Sequence, residues 1–266
     1  MRIGEPGGAV ARVVAIGVAT CLLSSACSTG STSTPPTGET PSPGVTATAA
    51  TPRPIPTVAG VTVTDRAPGG RWTYNFLEPR VSGLPPDVLT AVMGSIDDKI
   101  SGYISAFTSR DLPMPASDDE GSTLYGGYDV AYLSSALLSL TLSTQTHIAG
   151  AAQDQEMEES LNFDLSTGAV IKFEDLFVDP AAALPVLETE AHSILAAHFG
   201  SDLSWPASTT MAFFAGDWVF TKPGLMLKWP RGELAPAAYF AVSAIIPWAK
   251  LKAVIAPAGP AGSFIV

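Results

Sequence analysis

His147 and the polar residues that follow it are the part of this chain with the most potential for chemistry. His147 closes a segment of alternating residues, and Gln153, Asp154 and Glu156 come shortly after it. An imidazole beside carboxylates can move protons near neutral pH or hold a polar ligand. His147 is therefore the one catalytic candidate, and these four residues form the predicted ligand-binding set. A structural polar contact is the alternative for His147, and both interpretations stay open.

The other two histidines do not extend this set. His192 and His198 are six residues apart on a predicted helix, about 600° of rotation, so they point in different directions and cannot share a metal ion. Glu188 and His192 have the spacing of helix neighbours, and we expect a solvated surface pair there. His198 falls on the apolar stripe and is predicted to be partly buried. We predict no metal site and no cofactor.

Carboxylates are concentrated at the end of the predicted ligand-binding set. Glu158 and Glu159 continue the run from Asp154 and Glu156, in a segment expected to be a polar loop. Such a cluster is usually a solvated face. Its functional interpretation is an acidic patch for a cationic protein or a sugar amine. The chain has no Gly-x-Ser-x-Gly elbow, no His-Glu-x-x-His pair and no phosphate-binding loop.

Cys27 carries a different chemistry, that of lipid attachment. Arg2 and Arg12 precede an apolar run at 13–23, which small residues separate from Cys27. This order is typical of a secretory signal, and the apolar run is too short to span a bilayer. The last segment resembles the lipobox of bacterial lipoproteins, although Leu23 lies one position further from the cysteine than usual. The resemblance implies that Cys27 becomes a diacylglyceryl, palmitoylated N-terminus. The alternative is an ordinary signal that leaves a free thiol.

Composition divides the chain into three parts. Residues 1–26 are the predicted lipoprotein signal peptide, 27–58 a disordered Ser/Thr/Pro-rich tether, and 59–266 a single folded domain. A net charge of −11 excludes nucleic acid as a partner. We expect membrane contact through the N-terminal acyl chains, which would place the protein on the outer face of the cell membrane with its domain in the wall layer.

Periodicity in the folded part predicts an α+β domain. It would be a mainly antiparallel sheet with two main helices packed on it and a short C-terminal helix. Five tryptophans could stack on sugars, but strand alternation predicts that several of them lie in the core. The predicted helices are 88–107, 180–199 and 247–254, and the predicted strands are 61–63, 72–76, 124–133, 136–147, 161–165, 171–173, 211–221, 224–229 and 238–246.

Read in order, five short motifs resemble a known extracytoplasmic module. They are NFDLSTG at 162–168, FEDLF at 173–177, FTKPGL at 220–225, APAAY at 235–239 and IPWAKLK at 246–252. The module is the RsiV-type ectodomain, which is also joined to PdaC-type deacetylases and occurs in a mycobacterial secreted-antigen family. The turn that typically reads Gly-Gly-Ala-His in this family has Gln153 at the histidine position here.

The resemblance implies a cell-envelope binding module whose ligand is a cationic protein such as lysozyme, or peptidoglycan. The cytosolic sigma-binding segment and transmembrane helix of RsiV are missing from this sequence, so we expect no anti-sigma activity. The alternative function is a cell-envelope esterase or another wall-modifying hydrolase, which would need a hydroxyl or carboxylate beside His147. A third hypothesis is a lipid-anchored spacer or assembly partner.

Overall fold

The computed structural model describes residues 53–115, 121–239 and 241–265. The predicted signal peptide, Cys27, most of the predicted tether and the acidic residues at 118–120 lie outside the described residues. The first strand begins at Thr57, so the last two residues of the predicted tether belong to the folded domain. Arg53 is already in contact with it, since its Nη1 donates a hydrogen bond of 2.7 Å to the Leu165 carbonyl.

Five strands form the larger of two sheets, and they lie side by side in chain order. Neighbours are antiparallel except β2 and β3, which are parallel because a helix connects them. The strands are β1 (Thr57–Arg66), β2 (Trp72–Ser82), β3 (Ser122–Leu133), β4 (Leu137–His147) and β5 (Gln155–Asp164).

The helix between β2 and β3, α1 (Pro86–Thr108), covers one face of this sheet. Its proline is at the first helical position, where the missing N–H costs nothing. Val92 and Ile96 are completely buried. They pack in one core with the alternating leucines of β4 and with Phe76 of β2. The spacing of three and four residues along the helix therefore gave the correct buried face.

The second sheet has three antiparallel strands and its own helices. It consists of β6 (Asp217–Phe220), β7 (Gly224–Trp229) and β8 (Val242–Pro247). The long helix α2 (Pro180–Phe199) contacts β8, and Leu187 and Ala191 are buried in the second core. The shorter helices are α3 (Met211–Ala215) and α4 (Trp248–Leu251), with 3₁₀ turns at Pro68–Gly70, Phe173–Leu176, Gly200–Asp202, Ala237–Tyr239 and Gly262–Phe264.

A buried polar joint connects the two sheets. The hydroxyl of Ser139 is hydrogen-bonded to the side-chain carbonyl of Asn162, and the Asn162 amide donates 2.8 Å to the carbonyl of Trp218. The backbone N–H of Phe220 donates 3.0 Å to the Ser139 hydroxyl. Ser139 and Asn162 are almost wholly buried, so these bonds satisfy groups that would otherwise be costly to desolvate.

The α+β class, the two main helices and the short C-terminal helix are confirmed, while three local predictions are wrong. The predicted strand at 211–221 is helix α3 followed by β6, because the helix lets Phe213 and Phe214 pack together against Trp229. No strand forms at 171–173: an isolated bridge joins Phe163 to Val170 just before this segment, and a 3₁₀ turn begins at Phe173. The strands form a five-stranded sheet and a three-stranded sheet.

The third error concerns β5, which begins at Gln155 inside the segment expected to be a loop. β5 is an outer strand of the sheet, and charged residues are common on such exposed edges, which accounts for the acidic residues in its first half. Alternation sends Glu156 and Glu158 to one face and Glu159 to the other. The carboxylate cluster is therefore split between two faces of the sheet.

Candidate functional site

A histidine–carboxylate pair lies where β4 ends and β5 begins. The His147 Nδ1 is 2.8 Å from Oδ1 of Asp154, with side-chain exposures of 41% and 40%. The connecting turn is closed by a hydrogen bond from Ala151 N–H to the carbonyl of Ile148. It also contains Gly150 at φ +80°, a conformation that favours glycine. The turn therefore brings together two residues that the sequence places seven positions apart.

Gln145 holds the second oxygen of this carboxylate. Its Nε2 donates 2.9 Å to Oδ2 of Asp154, so both carboxylate oxygens have a partner. An ionised carboxylate only accepts hydrogen bonds, which assigns the proton of the neutral His147 ring to Nδ1. Nε2 is then the acceptor of the ring. Among the described residues Asp154 is the only hydrogen-bonding partner of the His147 ring. The pair can bind a polar ligand or accept a proton.

The four residues of the predicted ligand-binding set line one shallow cleft. His147, Gln153, Asp154 and Glu156 surround a volume of about 390 Å³ together with Gln145 and Arg231. The structure thus brings the set together around the β4–β5 turn. It places Gln153 on the exposed turn, at the position that the family resemblance assigns to histidine.

Two further clefts adjoin this one, and Glu156 lines all three. We call the three together the sheet-face cleft. One lies over β3 and β4 with a volume of about 550 Å³, and the other, of about 160 Å³, lies against the end of β7. The residues that line these two are Tyr125, Gly126, Gly127, Ser143, Thr144, Gln145, Glu156, Met157, Glu158, Asp217, Lys228, Trp229, Pro230, Arg231 and Ala241.

Strand register places polar side chains in one row, which crosses the floor of the sheet-face cleft and continues onto the neighbouring strand β2. Asn75 of β2 is paired with Tyr125, which is paired with Gln145, which is paired with Glu156. Paired residues share a face, so these four side chains form one row over about 14 Å. Tyr125 is 53% exposed. This face is opposite to the one that α1 covers, since Phe76 next to Asn75 lies in that core.

The second sheet covers only part of this face. β6 contacts β3, β4 and β5, and the first six residues of β4 are buried on both faces. From Ser143 onward the same face opens to solvent, with Gln145 exposed. The chain at 229–231, next to β7, and Ala241 line the side of the cleft. The result is a flat floor with a wall along one side.

Charges in the sheet-face cleft are mostly paired, with one exception. The Lys228 side chain is 14% exposed, and its Nζ donates hydrogen bonds of 2.9 Å to the Glu158 carboxylate and to the Thr141 hydroxyl. Oδ2 of Asp217 lies 3.7 Å from the same nitrogen. One oxygen of Asp217 is buried and has no hydrogen-bond partner within the described segments. Glu156 has no hydrogen bond or ion pair with another described residue, so its carboxylate is available to a ligand.

Glu159 does not belong to the cleft, because it faces α1. It is paired with Lys99 and accepts a hydrogen bond of 2.6 Å from the Tyr103 hydroxyl. Burial, followed by the hydrogen bond to Glu159, raises the pKa of Tyr103 well above its usual range. This part of the predicted acidic patch therefore fastens the helix to the edge strand.

The two remaining histidines lie away from the sheet-face cleft. His192 packs edge-on against Trp205 with ring centres 5.1 Å apart, and no hydrogen bond or ion pair joins it to Glu188. His198 is exposed and packs against Phe199, so the predicted partial burial is wrong. Like its neighbour Ala197, His198 lies on the solvent side of α2. In the described parts of the chain, no group of three or more His, Cys, Asp or Glu side chains could hold a metal ion.

Three of the five tryptophans are buried, as alternation predicted. Trp218, Trp229 and Trp248 have at most 6% exposure, so their faces are not open to sugars. The exposed ring in the sheet-face cleft is that of Tyr125, which sequence reasoning missed. Tyr125 and Gly127 alternate along β3, and Gln145 and His147 alternate along β4, so the sequence could have shown one polar face on each strand. Only the strand register shows that these two faces adjoin.

Sequence comparisons find no relative of this chain: no family model matches it, and no curated protein matches it. Solved structures do match its fold. A DUF3298 family protein from Pseudomonas aeruginosa PAO1 is 18% identical with a TM-score of 0.54, over 77% of this chain and 95% of that one. A DUF3298 family member from Bacteroides fragilis is 14% identical with a TM-score of 0.51, over 79% and 97%.

At these identities the likeness establishes the fold. The chain has the fold of DUF3298 family proteins, a family related to RsiV-type extracellular domains, which agrees with the predicted resemblance at the level of architecture. In the described residues, no helix is both long enough and apolar enough to cross a membrane.

Proposed function

We propose that this protein is a lipid-anchored binding module of the cell envelope, of RsiV-like type and without anti-sigma activity, whose ligand is lysozyme or peptidoglycan. The observation that carries the proposal is the sheet-face cleft. It collects His147, Gln153, Asp154 and Glu156 on an open surface, where the Glu156 carboxylate has no hydrogen bond or ion pair with another residue of the described part of the chain. Anchoring through Cys27 rests on the sequence alone.

Charge supports a cationic or amine-bearing ligand. The full chain has a net charge of −11, and among the described residues four carboxylates, of Asp154, Glu156, Glu158 and Asp217, line the cleft. Complementary charge mainly raises the association rate, and it acts over a Debye length of about 8 Å at physiological salt. Binding to lysozyme should therefore weaken markedly as salt rises.

The second candidate function is a wall-modifying hydrolase, and the His147–Asp154 pair favours it. A carboxylate that orients an imidazole is part of many hydrolytic sites. A serine-type esterase would also need a hydroxyl at the second ring nitrogen, and no described hydroxyl is hydrogen-bonded to His147. The geometry therefore supports binding better than nucleophilic catalysis.

Calorimetry tests the binding function. We would titrate residues 28–266 with lysozyme and with soluble peptidoglycan fragments at low and physiological salt. We expect saturable binding of at least one of them. The double variant Asp154→Asn, Glu156→Gln should weaken it at least about tenfold, because two charged contacts are lost.

Asp98→Asn is the matched control, since it removes one exposed carboxylate from α1 on the opposite side of the sheet. It should leave the affinity unchanged. If neither ligand binds at low salt, the binding function is wrong. Hydrolysis of ester substrates that is lost in His147→Ala would then establish the second candidate.

A further inference from the structure

The row Asn75, Tyr125, Gln145 and Glu156 has the chemistry of a sugar-binding surface. We propose that it binds a glycan chain carrying free amino groups, an inference that rests on the proposed binding function and specifies its ligand. Nothing in the sequence alone indicated this row, since its members come from four strands.

Tyr125 provides the stacking surface. Its side chain is 53% exposed and makes no ring contact or side-chain hydrogen bond with another described residue. An exposed aromatic face beside hydroxyl-binding groups suits a sugar ring, which has an apolar face and a polar rim. Gly127, two residues along the same strand, adds no side chain to the floor, and the space above it is open, since a Cβ there would meet only the Ser143 hydroxyl, at 4.0 Å.

The amides on either side of Tyr125 provide directional hydrogen bonds. Asn75 is exposed and has no side-chain partner among the described residues. Gln145 donates to Asp154 through Nε2, which leaves its carbonyl oxygen to accept from a sugar hydroxyl. A few fixed polar groups around an apolar surface are typical of small-ligand sites.

Glu156 determines the charge of the ligand. Glu158 is neutralised by Lys228, and Asp154 is held by Gln145 and His147, whereas Glu156 has no partner in the described residues. Arg231 also lines this part of the cleft, with its Nε donating to the carbonyl of Ala237. An ammonium group on a sugar ring would give Glu156 a charge-assisted partner.

A cationic peptide is less well matched to this row. Three of the four side chains are neutral, and strand register places all four in a line of about 14 Å. Successive rings of a sugar chain can occupy such a line, one on Tyr125 and another near Glu156. Flexible lysine side chains would use Glu156 without needing the tyrosine or the amides.

Two hexasaccharides that differ only in acetylation provide the test. We would measure binding of residues 28–266 to β-1,4-linked glucosamine hexamer, to its fully N-acetylated form and to hexalysine, at about pH 6 where the amines are charged. The glucosamine hexamer should bind at least about tenfold more tightly than either of the others.

Variants separate the roles within the row. Tyr125→Ala should lower the affinity for the glucosamine hexamer at least about fivefold, and Tyr125→Phe should restore it, since the ring is retained. Glu156→Gln should remove the preference for the free amine. Asp98→Asn should change neither quantity. These side chains are exposed, so unchanged circular dichroism and Tm should accompany each loss.

Three results would overturn the inference. They are no binding of the glucosamine hexamer, equal binding of both hexasaccharides, and hexalysine binding as tight as that of the sugar and indifferent to Tyr125. If lysozyme or peptidoglycan still bound the Tyr125→Ala and Glu156→Gln variants with unchanged affinity, this ligand assignment would fall while the proposed binding function would stand.

Discussion

Asn162 shows how a single polar side chain can determine the arrangement of two sheets. It accepts from Ser139 of β4 and donates to the backbone of β6, in a region with almost no exposure to solvent. Loss of the Asn162 side chain would leave its partners without hydrogen bonds, and a buried donor or acceptor without a partner costs about 1–3 kcal/mol.

We therefore expect Asn162→Ala to lower the free energy of unfolding by about 2–4 kcal/mol. The carbonyl of Trp218 and the hydroxyl of Ser139 would each lose a partner. Urea unfolding followed by tryptophan fluorescence measures the change. Ser160→Ala is the comparison, because Ser160 is only part-buried and its hydroxyl contact with Thr141 is 3.3 Å long. Similar costs for the two variants would show that the joint is not a special feature.

Tyr103 makes a prediction about pH. Because burial and Glu159 raise its pKa, the folded state keeps the phenolic proton at a pH where the unfolded chain, with a pKa near 10, has lost it. The unfolded state then binds fewer protons, so stability falls as pH rises above about 10. The slope has an upper limit of about 1.4 kcal/mol per pH unit, and partial solvent exposure reduces it.

In Tyr103→Phe this pH dependence is absent. At about pH 8 the variant should be less stable than the parent by about 1 kcal/mol, the usual net value of one hydrogen bond. Between about pH 9 and 11 the difference should shrink, as the parent loses stability that the variant never had. Urea unfolding across this range measures it, and a constant difference would contradict the assignment of the raised pKa to Tyr103.

Two neighbouring glycines of strand β3 face opposite sides of the sheet, one the core and the other the cleft. Gly126 and Gly127 are neighbours, but a Cβ on Gly126 would lie 2.0 Å from the Phe76 ring, which is completely buried. A Cβ on Gly127 would project over the open face with space around it. The first glycine is required by the core, and the second lies on the floor of the cleft.

The two alanine variants should therefore differ sharply. Gly126→Ala forces Phe76 out of its position, and we expect a loss of at least about 2 kcal/mol in the free energy of unfolding. Gly127→Ala should change it by less than about 0.5 kcal/mol. Thermal and urea unfolding of both variants provide the measurement. Equal losses would mean that the register of β3 against β2 is incorrect.

The ends of a helix could be predicted from the sequence where residues at those ends favour a start or a stop. Helix α2 covers the predicted residues, 180–199, because Pro180 fits a helix start and Gly200 adopts φ +55° directly after the last turn. Helix α3 was not predictable in this way. Its residues form a short continuous apolar run, which periodicity alone cannot assign to a strand or a helix, and the helix is stabilised by the packing of Phe213 and Phe214 against Trp229.

The candidate site was predictable only in part, for the same reason. His147, Gln153, Asp154 and Glu156 are close in sequence, so a single turn brings them together. Asn75 and Tyr125 come from strands that enter the row through register. Register depends on which residues the opposite face buries, and that information is distributed over α1, β2 and β4.

At the scale of the whole molecule, the second sheet divides the outer face of the first into two regions. Where β6 contacts β3, β4 and β5, the polar residues are small and buried, and they hold the sheets together. Beyond that contact the polar residues are larger and exposed, and they line the sheet-face cleft. One face therefore provides both cohesion and a binding surface, at opposite ends of the same strands.

The position of β1 also has a mechanical consequence. It is the outermost strand on the N-terminal side, and it is joined to β2 by ten consecutive residue pairs without a bulge. If Cys27 is anchored as proposed while a ligand holds the cleft, any tension between them enters the fold at Arg53 and Thr57. The Arg53–Leu165 bond would yield first, and the β1–β2 ladder would then open from the Thr57–Ser82 end. The cleft on β3, β4 and β5 would stay assembled while the outer strand peeled away.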